Sequence, residues 1–176
     1  MFGWLRRRSE DEAVARIYER IVAQSRRPEF YRDLGVADSL DGRFDMLVLH
    51  AMLIMRRFKQ DGERTRVLGQ NLFDHMFYDM DRSLREIGVS DLAVGKRVKQ
   101  MSSAFLGRIA AYEEGLDGAE DTLEAALIRN VYRDEIPEGD AATRLAGYMR
   151  ETDTRLREMP LEPILEAKDV FEGLIP

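Results

Sequence analysis

Residues 43–60 read RFDMLVLHAMLIMRRFKQ, and no other stretch restricts the fold as much. At about 100° per residue, Phe44, Val48 and Met55 fall on one side of a helix and Met46 and Leu53 on the other. A helix that is apolar around its whole circumference belongs at the centre of a fold. Its longest apolar run, MLVLHAMLIM (46–55), is shorter than the ~18 residues of a membrane span. The segment is therefore expected to be the hydrophobic central helix of a protein core.

The rest of the chain shows helical periodicity and almost no strand-like alternation, with no repeat and no low-complexity segment. A first helix is expected from Ser9, where Ser9 and Glu12 have capping-box spacing. Val14, Ile17, Tyr18 and Ile21 form its apolar stripe, and Pro28 closes the region. Residues 29–45 read as a loop with short turns, broken most clearly at Asp41-Gly42. The helix over 64–87 is strongly amphipathic. Stepping at about 100° per residue, Leu72, Phe73, Met76, Phe77, Met80, Leu84 and Ile87 share about 140° of arc. Asp74, His75, Tyr78, Asp79, Asp81, Arg82, Arg85 and Glu86 occupy the remainder. After the turn GVSD (88–91), a fourth helix runs to about Glu114, with Val94, Val98, Met101, Phe105, Ile109 and Tyr112 as its core stripe. Ser103, Gly107 and Ala110 lie opposite, where small side chains admit a second neighbouring backbone. Further helices are expected over 119–133 and over 140–158, with Asp140 as cap. The expected architecture is all-α, a single-domain bundle of about six helices spanning 9–158. A flexible basic and aromatic tip (1–8) precedes it, and an acidic tail (159–176) follows.

Composition narrows the chemistry. A chain of 176 residues with 44% hydrophobic content is long enough for one domain with a real core. Its net charge of −6 gives no reason to expect nucleic-acid binding. The absence of cysteine excludes disulfides, thiolate metal sites and cysteine nucleophiles. Only His50 and His75 remain as imidazole ligands. Neither has Glu three residues earlier, as a bundle di-iron site requires. His75 and Asp79 are spaced to form an intrahelical pair. His50, inside the apolar helix, is expected to be buried and satisfied by one hydrogen bond. No P-loop, nucleophile elbow or dinucleotide fingerprint occurs. No catalytic residue, metal or cofactor is assigned. The acidic SEDE after MFGWLRRR leaves no secretory signal, which predicts a cytoplasmic protein. Phe2 and Trp4 with Arg6, Arg7 and Arg8 have the composition of a weak contact with an anionic membrane surface. Tyr78, flanked by Arg82, Arg85 and Asp74, has the composition favoured at protein interfaces.

Two blocks, RDLGVADSLDGRFDMLVLHAMLIMRRFK and LGQNLFDHMFYDMDRSLREIGVSDLAVGKRVKQMSSAFLGRIAAYEEGL, cover about residues 30–116. They resemble the ubiquinol–cytochrome c chaperone family, most specifically over LFDHMFYDMDRSLREIGVSDLAVGKRVK (72–99). The resemblance implies an all-helical, non-enzymatic fold and an assembly chaperone of ubiquinol–cytochrome c reductase. The client it implies is newly made cytochrome b, met near the inner membrane and the ribosome exit with a small co-chaperone. It supplies no catalytic residue. The matched positions expected to bind the client are Asp74, His75, Tyr78, Asp79, Asp81, Arg82, Lys96, Arg97 and Lys99, with Gly88 as a helix C-cap of positive φ. Two readings compete: a cofactor- or metal-binding bundle using His50 or His75, and a peripheral membrane adaptor using the N-terminal tip.

Overall fold

A computed structural model describes residues 3–168 and 170–174, with side chains from Glu10 onward apart from Arg64 and Glu120. Six helices of eleven residues or more and two of five residues are present among them: α1 Gly3–Ser25, α2 Pro28–Arg32, α3 Leu40–Phe58, α4 Glu63–Glu86, α5 Asp91–Asp117, α6 Glu120–Asn130, α7 Ala141–Glu158 and α8 Leu161–Leu165.

The apolar helix is central, as its pattern requires. α3 packs on α1, α4, α5 and α7. Met46, Val48, Leu49, Met52, Leu53, Ile54 and Phe58 are all buried. Its start differs from expectation. Asp41-Gly42 is not a break but the first turn of α3, because the Ser39 hydroxyl accepts from the Gly42 amide at 3.1 Å and caps the helix. The preceding stretch is also less irregular than its composition suggests. Pro28, with φ preset for a helix and no amide to satisfy, opens the short α2, which buries Phe30. α1 begins at Gly3, so Ser9 and Glu12 lie inside the helix and do not form an N-terminal box. The Leu5–Arg8 stretch is made of good helix formers, and the helix continues through it.

α4 and α5 form an antiparallel hairpin. Gly88, at φ +89°, reverses the chain, its amide bonding to Arg85 O and the Val89 amide to Leu84 O, both at 3.0 Å. That pair of bonds is a Schellman C-cap, which glycine enters without steric cost. Phe73 and Phe77 of α4 pack against Phe105 of α5, with ring centroids 5.3 and 5.8 Å apart. α5 then packs on α6 at backbone distance, with no space for a side chain at Gly115. The small face formed by Ser103, Gly107 and Ala110 does not receive a second helix. All three residues are exposed, and a Cβ at Gly107 would meet nothing within 4 Å. The close approach uses Gly115 instead.

The acidic tail docks on the body. Ala167, Val170, Phe171 and Leu174 are buried, and Gln24 of α1 donates from Nε2 to Leu174 O at 3.0 Å. Arg56 joins three elements by pairing with Asp153 of α7 at 3.0 Å and with Asp117 at the end of α5. No helix among the described residues is long and apolar enough to cross a membrane.

Candidate interaction surface

The polar arc of α4 is not uniformly open, because α1 covers one edge of it. Tyr18 of α1 donates its hydroxyl to Asp79 Oδ2 at 3.0 Å, and its ring meets His75 edge-on at 5.1 Å. Burial, reinforced by the Asp79 charge, raises the Tyr18 pKa well above that of a free phenol. The other Asp79 oxygen accepts from Arg82 Nη2 at 2.9 Å. The expected His75–Asp79 pair is therefore replaced. Asp79 bridges Tyr18 and Arg82, and His75 stacks on a tyrosine. A helical wheel shows which residues are polar, not which neighbouring helix takes them.

Asp74, Tyr78 and Arg82 remain on the surface. Tyr78 is 71% exposed, and its hydroxyl bonds to no described residue. With Asp11, Val14, Asn71, Asp74 and His75 it lines a shallow depression between α1 and α4. Asp81 accepts from Arg85 Nε at 2.6 Å, and Arg85 also pairs with Asp91 across the hairpin turn. Exposed pairs of this kind stabilise by about 0.2–1 kcal/mol at most. Their effect here is to tie the end of α4 to the start of α5.

The three cations of α5 differ from those of α4. Lys96, Arg97 and Lys99 are exposed, and none pairs with an acid among the described residues. Leu92, 95% exposed, precedes them on the same helix. The nine expected residues thus divide. Asp74, His75 and Tyr78 share the α1–α4 depression, joined to Asp79 and Arg82 through Tyr18. Arg97 lines a separate groove with Leu40 and Arg133. Lys96 and Lys99 line neither. Of the N-terminal tip, Phe2 lies outside the described residues, as do the side chains of Trp4, Arg6, Arg7 and Arg8.

His50 is fully buried, and both of its ring nitrogens are engaged. Nδ1 donates to Met46 O at 2.7 Å, and Nε2 accepts from the Tyr148 hydroxyl at 2.8 Å. Tyr148 in turn accepts from Gln24 Nε2 at 2.9 Å. The expectation of one hydrogen bond is exceeded, and no lone pair is left for a metal. Burial lowers the His50 pKa to about 4, so the ring is neutral at physiological pH. No three His, Asp or Glu side chains converge as metal ligands among the described residues.

One cluster escaped the sequence reading. Asp45, fully buried in α3, lies 2.7 Å from Arg108 Nη2 of α5 and 3.1 Å from Arg133 Nη2 after α6. Burial pushes its carboxyl up to about 6 despite both arginines. A signal was present. Asp45 is the one acid between Phe44 and Met55, and a carboxylate in a central helix needs a partner. Arg108 stands in the acid-free run 96–108.

Architecture and surface together define an all-α domain that displays uncompensated basic and aromatic groups along a helical hairpin. The ubiquinol–cytochrome C chaperone family matches residues 32–171, and the chain belongs to that family. The match extends beyond residues 30–116, through α6 and α7 into the tail. The chain is 23% identical over 158 residues to ubiquinol-cytochrome-c reductase complex assembly factor 1 of Xenopus laevis, covering 90% of this chain and 79% of that protein. The Mus musculus counterpart is 25% identical over 158 residues, and this chain spans 54% of its length. The crystal structure of the Cbp3 homolog from Brucella abortus matches with a TM-score of 0.81 at 36% identity, covering 98% of this chain and 99% of that one.

Proposed function

We propose that this chain is a non-enzymatic assembly chaperone that binds newly made cytochrome b and assists assembly of ubiquinol–cytochrome c reductase. Family membership supports the assembly role, and the relatives from frog and mouse carry that role in their names. The observation that carries the binding site is Tyr78. It is a large aromatic, exposed, with no hydrogen bond of its own, set between Asp74 and Arg82 on a helix fixed by α1. Tyrosine and arginine give directional contacts at low entropic cost and dominate interface energetics. Asp79 biases Arg82 towards this position through one hydrogen bond at 2.9 Å. Lys96, Arg97 and Lys99 add a basic approach that draws acidic client segments, an effect that weakens with salt. The N-terminal residues Phe2, Trp4, Arg6, Arg7 and Arg8 supply a weak membrane contact that keeps the chaperone close to a membrane-bound client.

A crosslinking pull-down from membranes of the native host tests this reading, comparing wild type with Tyr78→Ala/Arg82→Ala. The expected result is recovery of cytochrome b with the wild type and a loss of about tenfold with the double variant, equivalent to about 1.4 kcal/mol. Circular dichroism should show the variant folded, since both side chains are exposed. Equal recovery would move the site off α4. No cytochrome b with either protein would overturn the proposal.

A further inference from the structure

A groove runs between the start of α3, the middle of α5 and the turn at residues 131–134, away from the Tyr78 depression. Its depth holds the Asp45 cluster. Two guanidinium groups, Arg108 and Arg133, share that single carboxylate. Arg108 Nε is buried with no acceptor. Arg97 on the groove wall has no ion pair among the described residues. Asp41, exposed and 3.8 Å from Arg133, is the other acid on the wall. Three cations against two anions leave the groove one positive charge in excess, within a chain of net charge −6.

The backbone is arranged to keep Arg133 there. Arg133 and Asp134 are consecutive non-glycine residues at φ +57° and +64°. The left-handed region is costly for such side chains and persists where surrounding contacts hold it. The contacts are visible. The Asp134 amide bonds to Ile128 O at 3.0 Å, and Tyr132 donates its hydroxyl to Leu34 O at 2.9 Å. Apolar surface lies beside the charge. Leu40 is 51% exposed, and Met101 and Phe44 complete the wall, with Arg108 stacked 5.6 Å from the Phe44 ring centroid.

We propose that this groove is a second binding site, for an acidic-apolar segment of a polypeptide partner. The segment's carboxylate bonds to Arg97 and Arg133, and a neighbouring apolar side chain packs on Leu40 and Met101. The single excess charge matches one carboxylate, whereas a phosphate dianion would leave negative charge uncompensated. The apolar wall distinguishes a peptide from a free small anion. The site shares only Arg97 with the surface proposed above.

The test is an NMR titration of the full-length protein with a blocked peptide centred on leucine–glutamate–leucine, and with the same peptide carrying glutamine for glutamate. The expected result is shifts at Leu40, Arg97, Met101 and Arg133, and at least fivefold weaker binding of the glutamine peptide. Arg97→Gln and Arg133→Gln each weaken the glutamate peptide at least fivefold, whereas Tyr78→Ala/Arg82→Ala leaves it unchanged. Arg97 is exposed, so Arg97→Gln keeps the test valid should Arg133→Gln fail to fold. Equal binding of the two peptides, or shifts that map to Lys96 and Lys99, would overturn the proposal. Inorganic phosphate or phosphatidylglycerol vesicles producing the same shifts more tightly would overturn its assignment to a polypeptide. A pull-down that fails at Tyr78 leaves this titration unaffected, so the two proposals fail separately.

Discussion

Gly115→Ala is expected to destabilise the protein by about 2 kcal/mol, while Gly107→Ala, earlier in the same helix, stabilises it by up to about 1 kcal/mol. Both residues lie in α5, and both substitutions gain the same helix propensity. They differ in surroundings. A Cβ at Gly115 would lie 2.6 Å from Leu123 Cα, and a backbone atom cannot swing aside. α5 and α6 would have to separate along the most extensive helix contact in the fold. At Gly107 a Cβ meets nothing within 4 Å, so only the propensity gain remains. Chemical denaturation of the two variants checks the contrast. Equal effects in the same direction would show that α5 and α6 do not approach at backbone distance.

His50→Leu is expected to cost about 2 kcal/mol at pH 7 and close to nothing at pH 4.5. The cost at neutral pH is that of leaving Met46 O and the Tyr148 hydroxyl without their buried partner. The pH dependence comes from the wild type. The folded-state pKa of about 4 lies below the ordinary 6.5, so between those values the unfolded chain binds the extra proton. The wild-type contribution is therefore complete above pH 6.5. It falls as pH drops towards 4, by about 1.4 kcal/mol per unit. Asp45 acts in the opposite sense. Its folded pKa of about 6, against 3.8, makes its contribution more favourable as pH falls through 6. Taking the difference between wild type and variant at each pH cancels Asp45 and isolates His50. A difference that stays constant from pH 7 to 4.5 would show that His50 is already charged, or not buried.

How much of this was legible depended on whether the deciding contact was local. The 3.6-residue rhythm revealed the long helices, the circumferential apolarity of 43–60 identified the central one, and the position of Gly88 after Ile87 identified the hairpin turn. Each signal lies within a few residues of its effect. The polar arc of α4 was equally legible, but its burial by Tyr18 was not, since that contact spans 61 residues. The small residues of α5 show the same limit. Spacing marked Ser103, Gly107 and Ala110 as a face fit for close approach, yet the approach occurs at Gly115, where α6 returns. Asp45, a charge inside an apolar helix, went unremarked, although its position alone called for a partner. Its partner Arg133 is 88 residues away and held by a backbone conformation that no residue preference forecasts.

The contact between Gln24 and Leu174 decides how the interior of the domain closes. The Gln24 amide, the Tyr148 hydroxyl and the His50 ring form one buried chain of hydrogen bonds, and Phe171 seals it with its ring 5.4 Å from His50. Until residues 170–174 dock, the Gln24 amide lacks its acceptor at Leu174 O and the His50 ring lacks the cover of Phe171. The interior network is thus closed by a contact that spans 150 residues of sequence, so the fold of α1 and α3 is sealed from the far end of the domain.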